Sequence, residues 1–256
     1  MKVSVVLPTY DEAGNIVRLV RAIKANIPAD WTQEILVVDD NSPDGTFDLA
    51  RHAFAGDADV KTILRTTDRG LGASIRTGIE AATGDYLLVM DTDFTHRPQE
   101  IPAMLHVAQI VDFVNGSRFC PGGSMTDTAH YIASFVYNLM IRLVIRTQIQ
   151  DNLCGFWVGR AAQVRRLPFD EIFYGYGDYY FRLLHFAQVA GMKVVELPAQ
   201  YGERQAGASK SNFYKMLFQY SAMVLKFVIR NGRKKAGTVV ASADVATPAL
   251  AQRSIR

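Results

Sequence analysis

Tyr86-Leu87-Leu88-Val89-Met90-Asp91-Thr92-Asp93 is the stretch whose reading decides the fold. The apolar run from Tyr86 to Met90 is too short for a helix and reads as a strand, and it runs directly into two carboxylates. Upstream, Val3 to Leu7 is a β-branched strand ended by Pro8, and Glu34 to Val38 is a second that ends at Asp39-Asp40. Val60 to Leu64 is a third. Helical patterns separate them. Ile16, Leu19, Val20, Ile23 and Ile27 repeat at helical spacing between Ala13 and Ile27. The turn Ser42-Pro43-Asp44-Gly45-Thr46 leads into Phe47, Leu49 and Ala50, and Gly70-Leu71-Gly72 opens a helix to about Ala82. Downstream, Pro98 suits the first turn of another helix, and Phe113-Val114 begins another strand. This alternation predicts an α/β fold, a mostly parallel sheet with helices on both faces. Ligands of such sheets sit beyond the carboxyl ends of the strands. Thr9-Tyr10-Asp11-Glu12, Asp39-Asp40 and Asp91-Thr92-Asp93 all fall there.

The second half is less regular. Ala129 to Arg146 is a long amphipathic helix candidate, Tyr179 to Val189 another, and Lys193 to Leu197 a strand closed by Pro198. Asn212 to Ile229 predicts a further amphipathic helix with Phe213, Met216, Leu217, Tyr220, Met223, Val224 and Phe227 on one face. Residues 231–256 are Gly, Ala, Ser and basic residues without periodicity and read as a disordered tail behind a 1–230 domain. Of 256 residues 49% are hydrophobic and 21% charged, which suits a globular protein with a sizeable core. A net charge of +3 argues against a nucleic-acid partner. The two cysteines, Cys120 and Cys154, form no C-x-x-C and are read as reduced thiols rather than a disulfide or zinc site. The N-terminal apolar stretch is cut by Pro8 and Asp11-Glu12, unlike a signal peptide. No run reaches the roughly eighteen apolar residues of a membrane span. The nearest, Tyr131 to Ile141, stops at Arg142, so a protein not integral to the membrane is expected.

Two aspartates two residues apart at a strand end can point to one side, where they repel each other and favour a cation between them. Oxygen ligands suit Mg2+ or Mn2+, which keep waters or substrate phosphates in their shell. A nucleoside diphosphate leaving group needs such help as its charge grows. The plainer alternative is a strand-end Asp that holds the next turn. Asp39 can accept hydrogen bonds from a nucleobase or ribose, with Asp40 holding the turn, while Pro8-Thr9-Tyr10 and Glu12 offer a loop against which a base can lie. Neither G-x-G-x-x-G after the first strand nor G-x-x-x-x-G-K-[ST] is present, which argues against a dinucleotide dehydrogenase and a P-loop NTPase.

Val5-Val6-Leu7-Pro8-Thr9-Tyr10-Asp11-Glu12, Val38-Asp39-Asp40-Asn41-Ser42-Pro43-Asp44-Gly45-Thr46 and Met90-Asp91-Thr92-Asp93 resemble family 2 glycosyltransferases of the GT-A fold. The Ser-Pro-Asp-Gly-Thr turn, Gly70-Leu71-Gly72, Thr95-His96-Arg97-Pro98 and Gly116-Ser117-Arg118-Phe119 are similar to the dolichol-phosphate mannose synthase branch. So are Arg204 and Gly207-Ala208-Ser209-Lys210, an R-x-x-G-x-S-K loop. The resemblance covers roughly residues 3 to 230. It implies an inverting enzyme that moves a hexose, mannose from GDP-mannose, onto a polyprenyl phosphate. Under it Asp91 and Asp93 hold Mg2+ or Mn2+ and the diphosphate, and Arg118 is catalytic. Pro8, Thr9, Tyr10, Glu12, Asp39, Asp40, Gly70 and Thr92 bind the nucleotide sugar, and His130, Arg204, Ser209 and Lys210 the acceptor phosphate. A phosphate monoester is ionised near neutral pH and attacks without a strong base, but it needs cations such as Arg118, Arg204 and Lys210 to hold it.

Two positions depart from the branch. His130 stands where it has an arginine, and Asp68, beside Arg69, replaces a lysine before Gly70. Asp178 in Gly175-Tyr176-Gly177-Asp178-Tyr179 reads as a helix cap, or as a base for a hydroxyl acceptor. The two apolar helices flanked by Arg142, Arg146, Lys215, Lys226, Arg230, Arg233, Lys234 and Lys235 predict a peripheral protein on the cytoplasmic face of a membrane. The rival functions are a UDP-sugar-dependent transferase acting on a polyprenyl phosphate or a saccharide hydroxyl, and a non-catalytic sugar-nucleotide-binding subunit. No Gly-rich, Arg-containing loop follows the first strand, which argues against a sugar-nucleotide-forming nucleotidyltransferase.

Overall fold

The computed structural model of the chain describes residues 1–202 together with Val224, Leu225, Phe227 and Ile229. The first half alternates: β1 (Lys2–Thr9), α1 (Ile16–Asn26), β2 (Thr32–Asp39), α2 (Thr46–Ala53), β3 (Val60–Leu64), α3 (Leu71–Ala81), β4 (Tyr86–Val89), α4 (Ile101–Ala108) and β5 (Phe113–Ser117). Then follow β6 (Ser124–Met125), α5 (Thr128–Ile145), β7 (Trp157–Arg160), α6 (Ala161–Val164), α7 (Phe169–Ile172), α8 (Tyr179–Val189), β8 (Val194–Pro198) and β9 (Gln200–Tyr201).

A seven-stranded sheet runs β3-β2-β1-β4-β7-β5-β8, and β6 pairs with β9 in a small second ladder. All pairings in the large sheet are parallel except those of β7, which lies antiparallel to both β4 and β5. The chain runs outward from β1 through β2 to β3 and returns to β4 on the other side of β1. Strand order therefore reverses between β1 and β4, which opens a crevice at their carboxyl ends. The mostly parallel α/β architecture expected from the sequence is the one found. β1 and β4 carry Val3, Val5, Val6, Leu7, Leu87 and Leu88 fully buried. α3 lies so close on β1 that a Cβ on Gly78 would run into the Val6 side chain.

Several boundaries differ from the sequence reading for physical reasons. α1 starts at Ile16 rather than Ala13, because the Glu12 and Ala13 N–H groups donate sideways to Thr46 Oγ1 (2.9 Å) and Asp44 Oδ2 (3.0 Å). Pro98 opens a 3-10 turn, Pro98–Glu100, and α4 begins after it. β8 retains Pro198 as its last residue, which an edge strand tolerates.

α5 rests on the core through Tyr137, Ile141 and Ile145, at four-residue spacing. Its other face leaves Ile132, Val136, Leu139 and Leu143 exposed. By length and composition alone this 18-residue helix is apolar enough to cross a membrane, which the count of uninterrupted apolar residues did not foresee. The predicted helix from Asn212 and the predicted tail lie outside the described residues except at four helical positions. There Phe227 is buried edge-on against Phe181, His185 and Phe186.

Candidate functional site

The carboxyl ends of β1 and β2 are tied by polar side chains. Asp39, paired with Thr9 in the strand register, is fully buried. Its Oδ1 accepts the Ser42 N–H at 2.9 Å, and its Oδ2 accepts Ser42 Oγ at 2.6 Å and Thr9 Oγ1 at 3.1 Å. Ser42 Oγ also accepts the Asp11 N–H at 3.0 Å. Asp44 accepts from Ala13 N–H and from Thr46 N–H and Oγ1. Burial alone raises its pKa, but these donors outweigh it and hold the carboxyl below the usual range. The Ser42–Thr46 turn thus buttresses the Thr9–Glu12 loop. Glu12 Oε2 accepts from Asn15 at 2.8 Å, and Tyr10, 40% exposed, lies under the Arg69 guanidinium at 5.0 Å.

Asp40 is buried, pairs with Arg65, and accepts the Gly70 N–H at 2.7 Å. It therefore holds the Gly70 turn against β2, rather than the Ser42–Thr46 turn next to it in the chain. Gly70 adopts φ 145°, and Gly72 packs on Phe173 and Tyr174 so tightly that a Cβ would press on their backbone at 3.0–3.2 Å.

At the end of β4, the Asp91 carboxylate is 38% exposed, whereas Thr92 and Asp93 are buried. Thr92 Oγ1 reaches the Pro8 carbonyl at 3.4 Å, which links this turn to β1. Asp93 Oδ1 accepts the Thr95 N–H at 3.0 Å and Thr95 Oγ1 at 2.5 Å. The His96 ring, 1% exposed, accepts the Asp91 N–H on Nδ1 at 3.0 Å. Burial first, then the Arg118 charge, lowers its pKa to about 4 against the pull of Asp93, so the imidazole is neutral near pH 7. Tyr201 closes the turn from β9, its pKa raised by burial and then by Asp91 and Asp93. The Gly202 N–H donates to the Thr95 carbonyl at 2.9 Å.

Behind this turn lies Arg118. Its Nε and Nη2 donate to Asp151 at 2.7 and 2.9 Å, and its own N–H donates to the same carboxylate at 3.0 Å. Both side chains are buried. Burial lowers the arginine pKa, but Asp151 outweighs it and holds the guanidinium charged. Arg118 is thus an ion-paired cation beside the site rather than an open surface charge. His130 is exposed in the first turn of α5 and pairs with Asp127 at 2.5 Å. The β6–β9 ladder and the Thr126 N–H to Tyr201 carbonyl bond bring the start of α5 to Tyr201. A cavity of about 210 Å³ opens there, lined by Gly123, Ser124, Met125, Thr128 and Tyr131. Arg204, Ser209 and Lys210 lie outside the described residues.

The sequence profile of Glycosyl transferase family 2 matches residues 4–173, well over half of the chain. The chain belongs to this family. Among curated relatives of this family 2 glycosyltransferase is the undecaprenyl-phosphate mannosyltransferase of Micrococcus luteus. It is 34% identical over 220 residues, covering 82% of this chain and 87% of that one. The dolichol-phosphate mannosyltransferase of Pyrococcus furiosus is 33% identical over 227 residues, covering 86% of this chain and 62% of that one. Among solved structures, glucosyl-3-phosphoglycerate synthase from Mycobacterium tuberculosis, in complex with Mn2+, UDP and phosphoglyceric acid, superposes with a TM-score of 0.67. At 17% identity, over 91% of this chain and 80% of that one, it shares the fold.

Three features of the glycosyltransferase escaped the sequence reading. Asp151 and Cys154 sit in an aperiodic loop after α5, where nothing local singles Asp151 out of the polar run Gln150-Asp151-Asn152. His96 lies in the Thr95-His96-Arg97-Pro98 motif, which by sequence alone assigns it no role. Asp178 stands at the start of α8, but its side chain makes no cap there. It is fully buried, pairs with Arg182, and accepts the Tyr176 N–H at 2.8 Å. That corrects the cap reading, the carboxylate being engaged by Arg182 and the Tyr176 N–H instead.

Proposed function

We propose that the chain transfers mannose from GDP-mannose, with inversion, to the phosphate of a polyprenyl phosphate at a membrane surface. The observation that carries this reading is coverage. Relatives named as undecaprenyl-phosphate and polyprenol-monophosphate mannose enzymes align over 82–84% of the chain and 84–87% of their own length. A partly exposed Asp91 at the strand-order reversal, level with the Thr9 and Asp39 layer, supports a donor site between β1 and β4.

Asp91 and Asp93 would hold the cation. Among the described residues no group of three His, Cys, Asp or Glu converges on a metal site. Two carboxylates suit Mg2+ or Mn2+ shared with a diphosphate, and the fold neighbours were solved with Mn2+ or Mg2+ and UDP. When bound, such an ion neutralises charge on the departing diphosphate. The acceptor phosphate oxygen attacks the anomeric carbon from the face opposite the diphosphate, the carbon–oxygen bond to the diphosphate breaks, and no proton has to move. In this reading Asp39, Thr9 and the Tyr10 loop shape the nucleoside side, Asp40 sets Gly70, and Arg118 supplies positive potential behind the reacting phosphates. His130 and the Arg204–Lys210 segment meet the acceptor. That segment follows Gly202, which is anchored on Thr95. The exposed face of α5, with Arg142 and Arg146 at its end, supports membrane contact.

The test incubates the full chain with GDP-mannose or UDP-glucose, polyprenyl phosphate and Mn2+, with and without chelator. Mannosyl lipid formed only without chelator is expected, and it should be lost in Asp93→Ala. Product from UDP-glucose alone would overturn the donor, and product from neither would overturn the function. Chelator-resistant turnover would overturn the metal. Failure to sediment with anionic liposomes would overturn the membrane contact.

A further inference from the structure

The turn that follows β4 is strained. Phe94, between Asp93 and Thr95, has φ 65°, a left-handed conformation that is an outlier for a bulky side chain. Such a backbone persists only where its surroundings over-determine it. Asp93 clasps Thr95 on one side of Phe94, and Gly202 donates to the Thr95 carbonyl. Phe94 itself packs against the core under the Arg18 guanidinium at 5.2 Å, and a further restraint is His96. Its ring stacks on Phe156 at 5.1 Å and 17°, meets Tyr201 edge-on at 5.4 Å, and sets Nε2 3.7 Å from Cys154 Sγ. With Nδ1 accepting the Asp91 N–H, the ring proton sits on Nε2, and His96 has no lone pair left to offer a substrate.

We propose that His96 is a positioning residue: by accepting the Asp91 N–H it fixes the direction in which the first carboxylate leaves β4, and so sets how Asp91 and Asp93 together meet a divalent cation. This rests on the reading of the two aspartates as metal ligands. The strained turn is the spring and the buried imidazole the stop. Without the stop, the Asp91 N–H is left unpaired beside the core and the turn can relax at Phe94, which moves one carboxylate relative to the other.

The test compares the full chain with His96→Phe, His96→Asn and Asp91→Asn. Phe keeps the aromatic stack and removes the acceptor, whereas the Asn amide oxygen lies near the place of Nδ1. Mn2+ affinity is read by electron paramagnetic resonance titration with GDP present, folding by thermal melting, and donor and acceptor KM by steady-state assay. His96→Phe should weaken Mn2+ about tenfold, as expected when one part-buried N–H loses its partner. Donor KM should rise in step and acceptor KM should stay unchanged. His96→Asn should recover Mn2+ affinity to within about threefold of the parent. Should the Phe protein not fold, His96→Gln replaces it, since its amide reaches the place of Nε2 and not Nδ1. Unchanged Mn2+ affinity in a folded His96→Phe, with Asp91→Asn impaired, overturns the positioning role alone. Equal losses in the Phe and Asn proteins do the same. Unchanged affinity in Asp91→Asn overturns the metal reading and this proposal with it.

Discussion

Asp151→Asn is the substitution that probes the site's buried charge most directly. Asp151 is fully buried and Arg118 nearly so, and three N–H groups of Arg118 converge on the one carboxylate. Asp151 also accepts the Leu153 N–H at 3.1 Å. Neutralising one partner of a buried ion pair leaves the other uncompensated and costs about 3–5 kcal/mol. In a domain of this size 1 kcal/mol shifts Tm by roughly 2–4 °C, so a fall on the order of 10 °C is expected. Urea melts at constant m-value give the free energy, and differential scanning calorimetry the Tm. Arg118→Met with Asp151→Leu removes both charges and should recover most of the lost stability, because apolar replacement of a buried pair is close to neutral. On the proposed role of Arg118, that double variant should still fail to turn over. A loss under 1 kcal/mol in Asp151→Asn would refute the uncompensated-charge reasoning. Full activity in the double variant would refute the role of Arg118.

Two further outcomes follow from the framework around the site. Glu34 is 3% exposed; burial raises its pKa, but Ser4, the Thr83 N–H and Lys61 outweigh it and hold the carboxyl at about 2. A folded-state value below the unfolded one means stability that is full above about pH 4.5 and fades as pH falls toward 2. Glu34→Gln should therefore cost up to about 3 kcal/mol at pH 7 and converge with the parent in acid, and chemical denaturation across pH would exclude this if the gap stayed constant. Gly78→Ala should destabilise by about 1–3 kcal/mol, since its methyl would overlap Val6 where α3 lies on β1, and an unchanged urea midpoint would refute that close packing.

The parallel half of the fold was legible because β1, β2 and β4 are buried runs of β-branched and apolar residues, each followed by a polar cluster at its carboxyl end. The same pattern marked Thr9, Asp39, Asp91 and Asp93, whose positions at strand ends are a local property of the chain. What was not legible depends on contacts distant in sequence. β7 is four residues long and carries no period, so nothing local shows that it enters the sheet between β4 and β5. Asp151 gains its meaning only from Arg118, and Asp178 looked like a cap because it precedes a helix, whereas its partner is Arg182 one turn on. α5 was judged by its uninterrupted apolar length, but its Tyr137–Ile145 and Ile132–Leu143 faces make it apolar on two sides.

The antiparallel β7 also sets an order of events during synthesis. β1 to β4 form a contiguous set that can pair as soon as Val89 is clear of the ribosome, but β5 has no place beside β4 until Trp157–Arg160 arrives to lie between them. Chains elongate at about 5–20 residues per second, so the nascent protein waits several seconds or more with one edge of β4 unpaired. Throughout that interval Asp91 and Asp93 lack the wall that Phe156, Tyr201 and the Arg118–Asp151 pair provide. A ribosome-bound chain truncated before residue 157 carries β1 to β4 and no β7 to lie beside them, so the newborn enzyme exposes an open strand edge well before its sheet is complete.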